Sequence, residues 1–70
     1  MSASLVESAG LTPREAQVLA ALANGSTPAQ MARELGISPR TVHKHLEHAY
    51  RKLGVTHATA AAAVVARSNQ

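Results

Sequence analysis

Arg40, Lys44, Glu47 and Arg51 are spaced so that a helix of about 3.6 residues per turn carries them on one side, with His43 and His48 on its flanks. Chemically this is a set for holding or reading a polyanion. Lys and Arg donate to phosphate oxygens and to the acceptors of guanine, whereas a carboxylate accepts from the amino group of cytosine. Arg40, His43, Lys44 and Glu47 are the candidates for base edges. Thr27, Ser38 and Thr41 stand at two helix starts, where short hydroxyls and free backbone N–H groups hold phosphate. Arg51 and Lys52, farther along, are expected at the phosphate backbone or in water. Plainer roles compete at several positions. Each hydroxyl can serve simply as a cap, and Glu47 can pair with Arg51 at i,i+4 for a few tenths of a kcal/mol.

Other chemistries fit less well. His43, His45 and His48 project at roughly 100°, 300° and 240° from Val42 on a helix, so they do not converge, and no nearby Cys or Asp completes a tetrahedral set. No metal and no cofactor are expected. His45 falls where a packed helix pair usually buries an aliphatic group, so it is expected half-buried and hydrogen-bonded. Neither a Gly-x-Ser-x-Gly turn nor a phosphate loop occurs, and so small a chain lacks a cleft-forming element. An enzyme is not expected. Tyr50 is the single aromatic residue, which argues against stacking platforms for single strands.

The elements that must position these residues are legible from their boundaries. Opposite the cations, Val42, Leu46, Ala49 and Leu53 form one apolar stripe. Ser38 caps that helix, Pro39 suits its first position because its missing N–H would have no partner there, and Gly54 stops it. Earlier, Thr12, Pro13 and Glu15 make a capping box ahead of Val18, Leu19 and Leu22, with Asn24-Gly25 as the end. Thr27, Pro28 and Gln30 repeat that grammar for a short helix burying Met31, Ala32 and Leu35 and ending at Gly36. A fourth helix, rich in Ala and Val, runs from about His57 to Arg67. The spacing predicts helices over 12–24, 28–35, 39–53 and 57–67, with Leu19, Leu22, Met31, Leu35, Ile37, Val42, Leu46 and Leu53 in the core. Residues 1–10 are expected as a flexible lead-in, with Leu5 or Val6 touching the core, and 68–70 as a polar tail. The fold class is therefore all-α, a four-helix bundle over 11–67.

Seventy residues make one small domain that buries only about 60% of its unfolded surface. No Cys is present to staple it, and no apolar run approaches the roughly 20 residues that span a bilayer. The start lacks a secretory signal, so a cytoplasmic location and no membrane partner are expected. The net charge of +3 is concentrated: Arg40, Lys44, Arg51 and Lys52 face Glu47 on the third helix, while charges elsewhere cancel. Localised basic charge is the footprint of a polyanion partner.

A short second helix, a glycine turn and a basic third helix describe a helix-turn-helix. A plain αα-hairpin would account for the apolar positions but not for the charge. L-T-P-R-E at 11–15, N-G at 24–25, I-S-P-R-T-V at 37–42, His45 and R-K-L-G-V at 51–55 together resemble the LuxR-type (GerE-like) DNA-binding domain of bacterial transcriptional regulators. The likeness covers about residues 11–66. It implies a C-terminal effector domain that binds double-stranded DNA sequence-specifically, with its third helix, 39–53, in the major groove. It also implies a longer transcription factor with a sensory or receiver domain upstream, of which this chain is a fragment, unless it is a stand-alone regulator. Three positions depart from the family pattern: His43 where Lys is most frequent, Glu47 where a basic or polar residue is common, and Ala60 where an acid would complete a cap. These bear on the operator rather than on the fold.

On the fourth helix Ala61, Val64, Val65 and Ser68 recur at i, i+3, i+4 and i+7 as a face of small residues. Part of that helix must pack on the first, and the resemblance implies a two-fold homodimer through it, at least on DNA. RNA polymerase is a further partner expected of such a regulator. Two rivals stand beside this reading. The promoter-reading domain of a sigma factor shares L-T-P-R-E and I-S-x-x-T-V, although His45 and R-K-L-G-V favour the LuxR type. A helical protein-interaction module docking through helix four would not bind random duplex DNA at low salt.

Overall fold

Residues 9–68 are described by the structure, a computed structural model. Hence the expected core contact of Leu5 or Val6 lies outside the described residues. Among the described residues four helices follow in order, α1 (Pro13–Ala23), α2 (Pro28–Leu35), α3 (Pro39–Leu53) and α4 (Ala58–Ser68), and there is no strand. The predicted spans are met to within a residue at each end. The all-α reading holds.

Local chemistry explains why the boundaries were so readable. Thr12 Oγ1 accepts the Glu15 N–H at 3.1 Å while Glu15 Oε1 accepts the Thr12 N–H at 2.9 Å, a complete capping box. Thr27 and Gln30 do the same for α2 at 3.2 and 2.8 Å. Each of the first three helices has Pro in its opening turn. Gly36 ends α2 at φ +69°, and the Ile37 N–H reaches back to the Ala32 carbonyl at 3.0 Å. A Cβ at Gly36 would meet nothing within 4 Å, so the left-handed backbone, not crowding, demands glycine.

The fourth start is different. His57 precedes α4, and its Nδ1 accepts the Ala60 N–H at 3.2 Å, doing the work of a side-chain cap that the sequence reading did not assign.

α1 packs against both α3 and α4, and α2 lies mainly on α3, so α1 and α2 together seat the basic helix. The core consists of Leu11, Val18 and Leu19, Met31 and Ala32 from α2, Val42, Leu46 and Ala49 from α3, and Ala61 and Val65 from α4. Leu22, Leu35, Ile37 and Leu53, expected inside, are only partly buried and pack against this cluster. They sit at helix ends and in the turn, where a domain this small has little material left to cover them.

A charged residue joins the core. Glu15 is 3% exposed, on the same side of α1 as Val18 and Leu19. Lys52 Nζ lies 2.7 Å from Glu15 Oε1 and donates to the Gly10 carbonyl at 3.0 Å, so the end of α3 is tied to the start of α1. His48 Nδ1 stands 4.0 Å from the other carboxylate oxygen. Burial alone pushes the Glu15 carboxyl upward; the Lys52 ammonium and the Thr12 N–H outweigh it and hold the carboxyl below its ordinary value.

Candidate nucleic-acid interface

α3 is divided lengthwise by its sequence. Val42, Leu46 and Ala49 are buried, and Arg40, His43, Lys44, Glu47 and Arg51 are exposed on the remaining circumference. None of these five has an ion-pair partner among the described residues. The i,i+4 pair that Glu47 and Arg51 were able to form is absent, so Glu47 stands open beside the cations. All four residues proposed for base edges thus share one open surface.

The hydroxyls lie at two helix starts, Ser38 and Thr41 opening α3 and Thr27 capping α2. Ser38 Oγ accepts the Thr41 N–H at 3.1 Å and lies 2.9 Å from Thr41 Oγ1. Ser38 is exposed and Thr41 half-buried, so the cap is formed and still reachable from outside. Thr27 is exposed at the start of α2. Capping and phosphate binding are compatible at these sites, since a hydroxyl that accepts from a backbone N–H can donate outward.

Lys52 occupies a different place from its neighbours. Its ammonium is engaged by Glu15 and Gly10, and its charge is matched by a buried carboxylate. The excess charge on the open side of α3 therefore comes from Arg40, Lys44 and Arg51 against Glu47. Sequence reasoning assigned Glu15 only a capping role. The signal that could have found more is its register: Glu15 precedes Val18, Leu19 and Leu22 by three, four and seven residues, on the apolar face.

His45 is half-buried as expected, but no hydrogen bond to its imidazole forms among the described residues. No three acidic or histidine side chains among the described residues come together in a metal-binding arrangement.

The residues named for a dimer face divide differently. Ala61 and Val65 are 0% and 6% exposed inside this chain's own core, which removes them from any surface. Val64 is half-buried, and the side chain of Ser68 lies outside the described ones. The correction has a simple cause: i,i+4 spacing of small residues marks where α4 approaches α1, and one helix cannot turn the same face both inward and outward. Ala63 and Ala66, with Thr59 and Arg67, are exposed on the outward side.

Comparison with known proteins fits this geometry. The family model described as bacterial regulatory proteins, luxR family, matches residues 9–65. A protein described as probable transcriptional regulatory protein SgaR, from Hyphomicrobium methylovorum, is 52% identical over 54 residues, covering 77% of this chain and 26% of that protein. The transcriptional regulatory protein UhpA of Escherichia coli (strain K12) is 50% identical over 46 residues, covering 66% of this chain and 24% of its own length. UhpA of Salmonella typhimurium matches to the same extent. This chain thus spans about a quarter of the length of these relatives. No solved structure matches it. No described helix is long and apolar enough to cross a membrane. The family match decides between the LuxR-type reading and its sigma-factor and interaction-module rivals: the chain belongs to the luxR family of bacterial regulatory proteins, as their DNA-binding helix-turn-helix domain.

Proposed function

We propose that this domain binds duplex DNA sequence-specifically by laying α3 in the major groove. The observation that carries the reading is the open face of α3, where Arg40, His43, Lys44, Glu47 and Arg51 are all exposed and uncommitted to one another. Arg40, His43, Lys44 and Glu47 address base edges. Ser38, Thr41 and Thr27, with Arg51, hold phosphates on either side. Lys52 contributes to the phosphate set only through the seating of α3, since its ammonium is already bonded to Glu15.

The domain acts as the effector part of a longer cytoplasmic regulator with a sensory or receiver portion upstream, and RNA polymerase is the partner through which it affects transcription. It performs no catalysis of its own. Two copies associate on DNA through the outward side of α4, around Ala63, Ala66 and the edge of Val64, placing two α3 helices on half-sites about one DNA turn apart.

Selection of bound sequences from a random duplex pool tests the specificity. A recovered consensus is expected, and recovery of no consensus would reduce the domain to a non-specific binder. Lys44→Ala should weaken the selected site by roughly 1–3 kcal/mol relative to random DNA if Lys44 reads a guanine. An equal loss on both would make it a phosphate contact. Glu47→Ala should relax base preference at one position; uniform tightening on all sequences would mean that Glu47 only repels phosphate.

A further inference from the structure

Three of the seven side chains that can be positive on the recognition helix are histidines. Beyond Arg40, Lys44 and Arg51, the exposed surface of α3 includes His43 and His48, with His45 half-buried. Lys52 adds nothing to that surface, because Glu15 already matches it. The permanent excess is therefore small, and each imidazolium formed would raise it substantially.

The three histidines are not equivalent. His48 stands 4.0 Å from the buried Glu15 carboxylate, on the flank turned towards α1. His45 is half-buried. His43 is exposed, has no hydrogen bond or ion pair among the described residues, and precedes Lys44 in the half of α3 that begins at the Ser38 cap. Its charged neighbours along the helix are Arg40, Lys44 and Glu47. The elements packed on α3 bring Arg14, Glu15, Arg33, Glu34 and Arg67, and of these only Glu15 comes within ion-pair distance of α3, at Lys52 and His48.

We infer that duplex binding by this domain is coupled to protonation of His43, so that acidification tightens it. The inference rests on the reading of α3 as the DNA-binding helix. An imidazole ordinarily changes charge near pH 6.5, within the range a cell can traverse. A polyanion set against α3 favours the imidazolium form, and by linkage the proton taken from solvent favours the complex. The protonated ring donates from both nitrogens, which suits phosphate oxygen or the acceptors of guanine. The Glu15–Lys52 tie that seats α3 keeps its charges over this interval. Glu15 has its carboxyl held below the ordinary value, so its bond to Lys52 persists at both ends of the range.

The test compares the parent with His43→Gln on mixed-sequence duplex DNA at pH 6 and pH 8, measuring dissociation constants over a series of salt concentrations. The parent should bind roughly fivefold more tightly at pH 6 than at pH 8. Its log–log salt slope should steepen at the lower pH by up to about 0.9, one additional phosphate neutralised. His43→Gln should bind with nearly equal affinity at the two values. Parent and variant differ only at position 43, so effects of acid on the rest of the fold, the His57 cap of α4 included, are common to both. Equal parent affinity at pH 6 and pH 8, or a full pH effect retained by His43→Gln, would overturn the inference while leaving DNA binding in place. Absence of binding at both pH values would overturn the duplex reading itself, and this inference with it.

Discussion

Glu15 shows how much one residue can join. It closes the capping box of α1, accepts the Lys52 ammonium and holds the end of α3 against Gly10, all from a site 3% exposed. A carboxyl held below its unfolded value when folded contributes stability that is present above the unfolded value and lost as pH falls through the folded one. Thermal melts taken downward from pH 7 should therefore show a decline beginning near the ordinary carboxylate range, about pH 4, and continuing below it. Glu15→Gln keeps an oxygen for the Thr12 N–H but loses the charge, and should cost about 1–2 kcal/mol at pH 7 and flatten that decline. If the variant kept the parent's acid limb, the stabilising role of the Glu15–Lys52 pair would be refuted. Lys52→Met, which leaves the buried carboxylate unmatched, should raise the Glu15 pKa, as followed by carboxyl NMR shifts.

At the scale of elements, α3 is held by its buried stripe and by the turn that delivers it. Leu46 is 4% exposed at the centre of that stripe, and Leu46→Ala should cost roughly 2–5 kcal/mol in denaturant unfolding. A variant melting like the parent would mean that the helix can reseat without it. The Gly36 turn gives an independent check. With space for a Cβ but φ at +69°, Gly36→Ala should cost about 1–2 kcal/mol from backbone strain alone. The α4 start offers a third. His57→Ala should fray α4 and lower stability by about 1 kcal/mol, whereas His57→Asn should restore it, since an amide oxygen can also cap.

For the molecule as a whole, the outward side of α4 is where a second copy would sit. Ala63→Arg and Ala66→Arg place a long cation on exposed positions, so the melting curve should be unchanged while cooperative binding to paired half-sites is lost. Sedimentation with and without a two-half-site duplex measures the second effect. Ala61→Arg is the contrasting case, since that side chain is fully buried and the change should unfold the domain. Cooperativity that survives both outward substitutions would remove α4 as the dimer face.

Helix starts and stops were settled along the chain itself, because a hydroxyl cap, an opening proline and a left-handed glycine act on backbone groups within three or four residues. The same is true of the division of α3 into an apolar and a polar side, which follows from helical periodicity alone. What the sequence left open involved partners far apart in number. That Lys52 is bonded to Glu15, 37 residues earlier, rather than offered to DNA could not be read from a count of charges. Nor does small-residue spacing on α4 say whether Ala61 and Val65 face α1 or a second chain. Local rules specify which side of a helix is different; only the packing of helices against one another decides what that side meets.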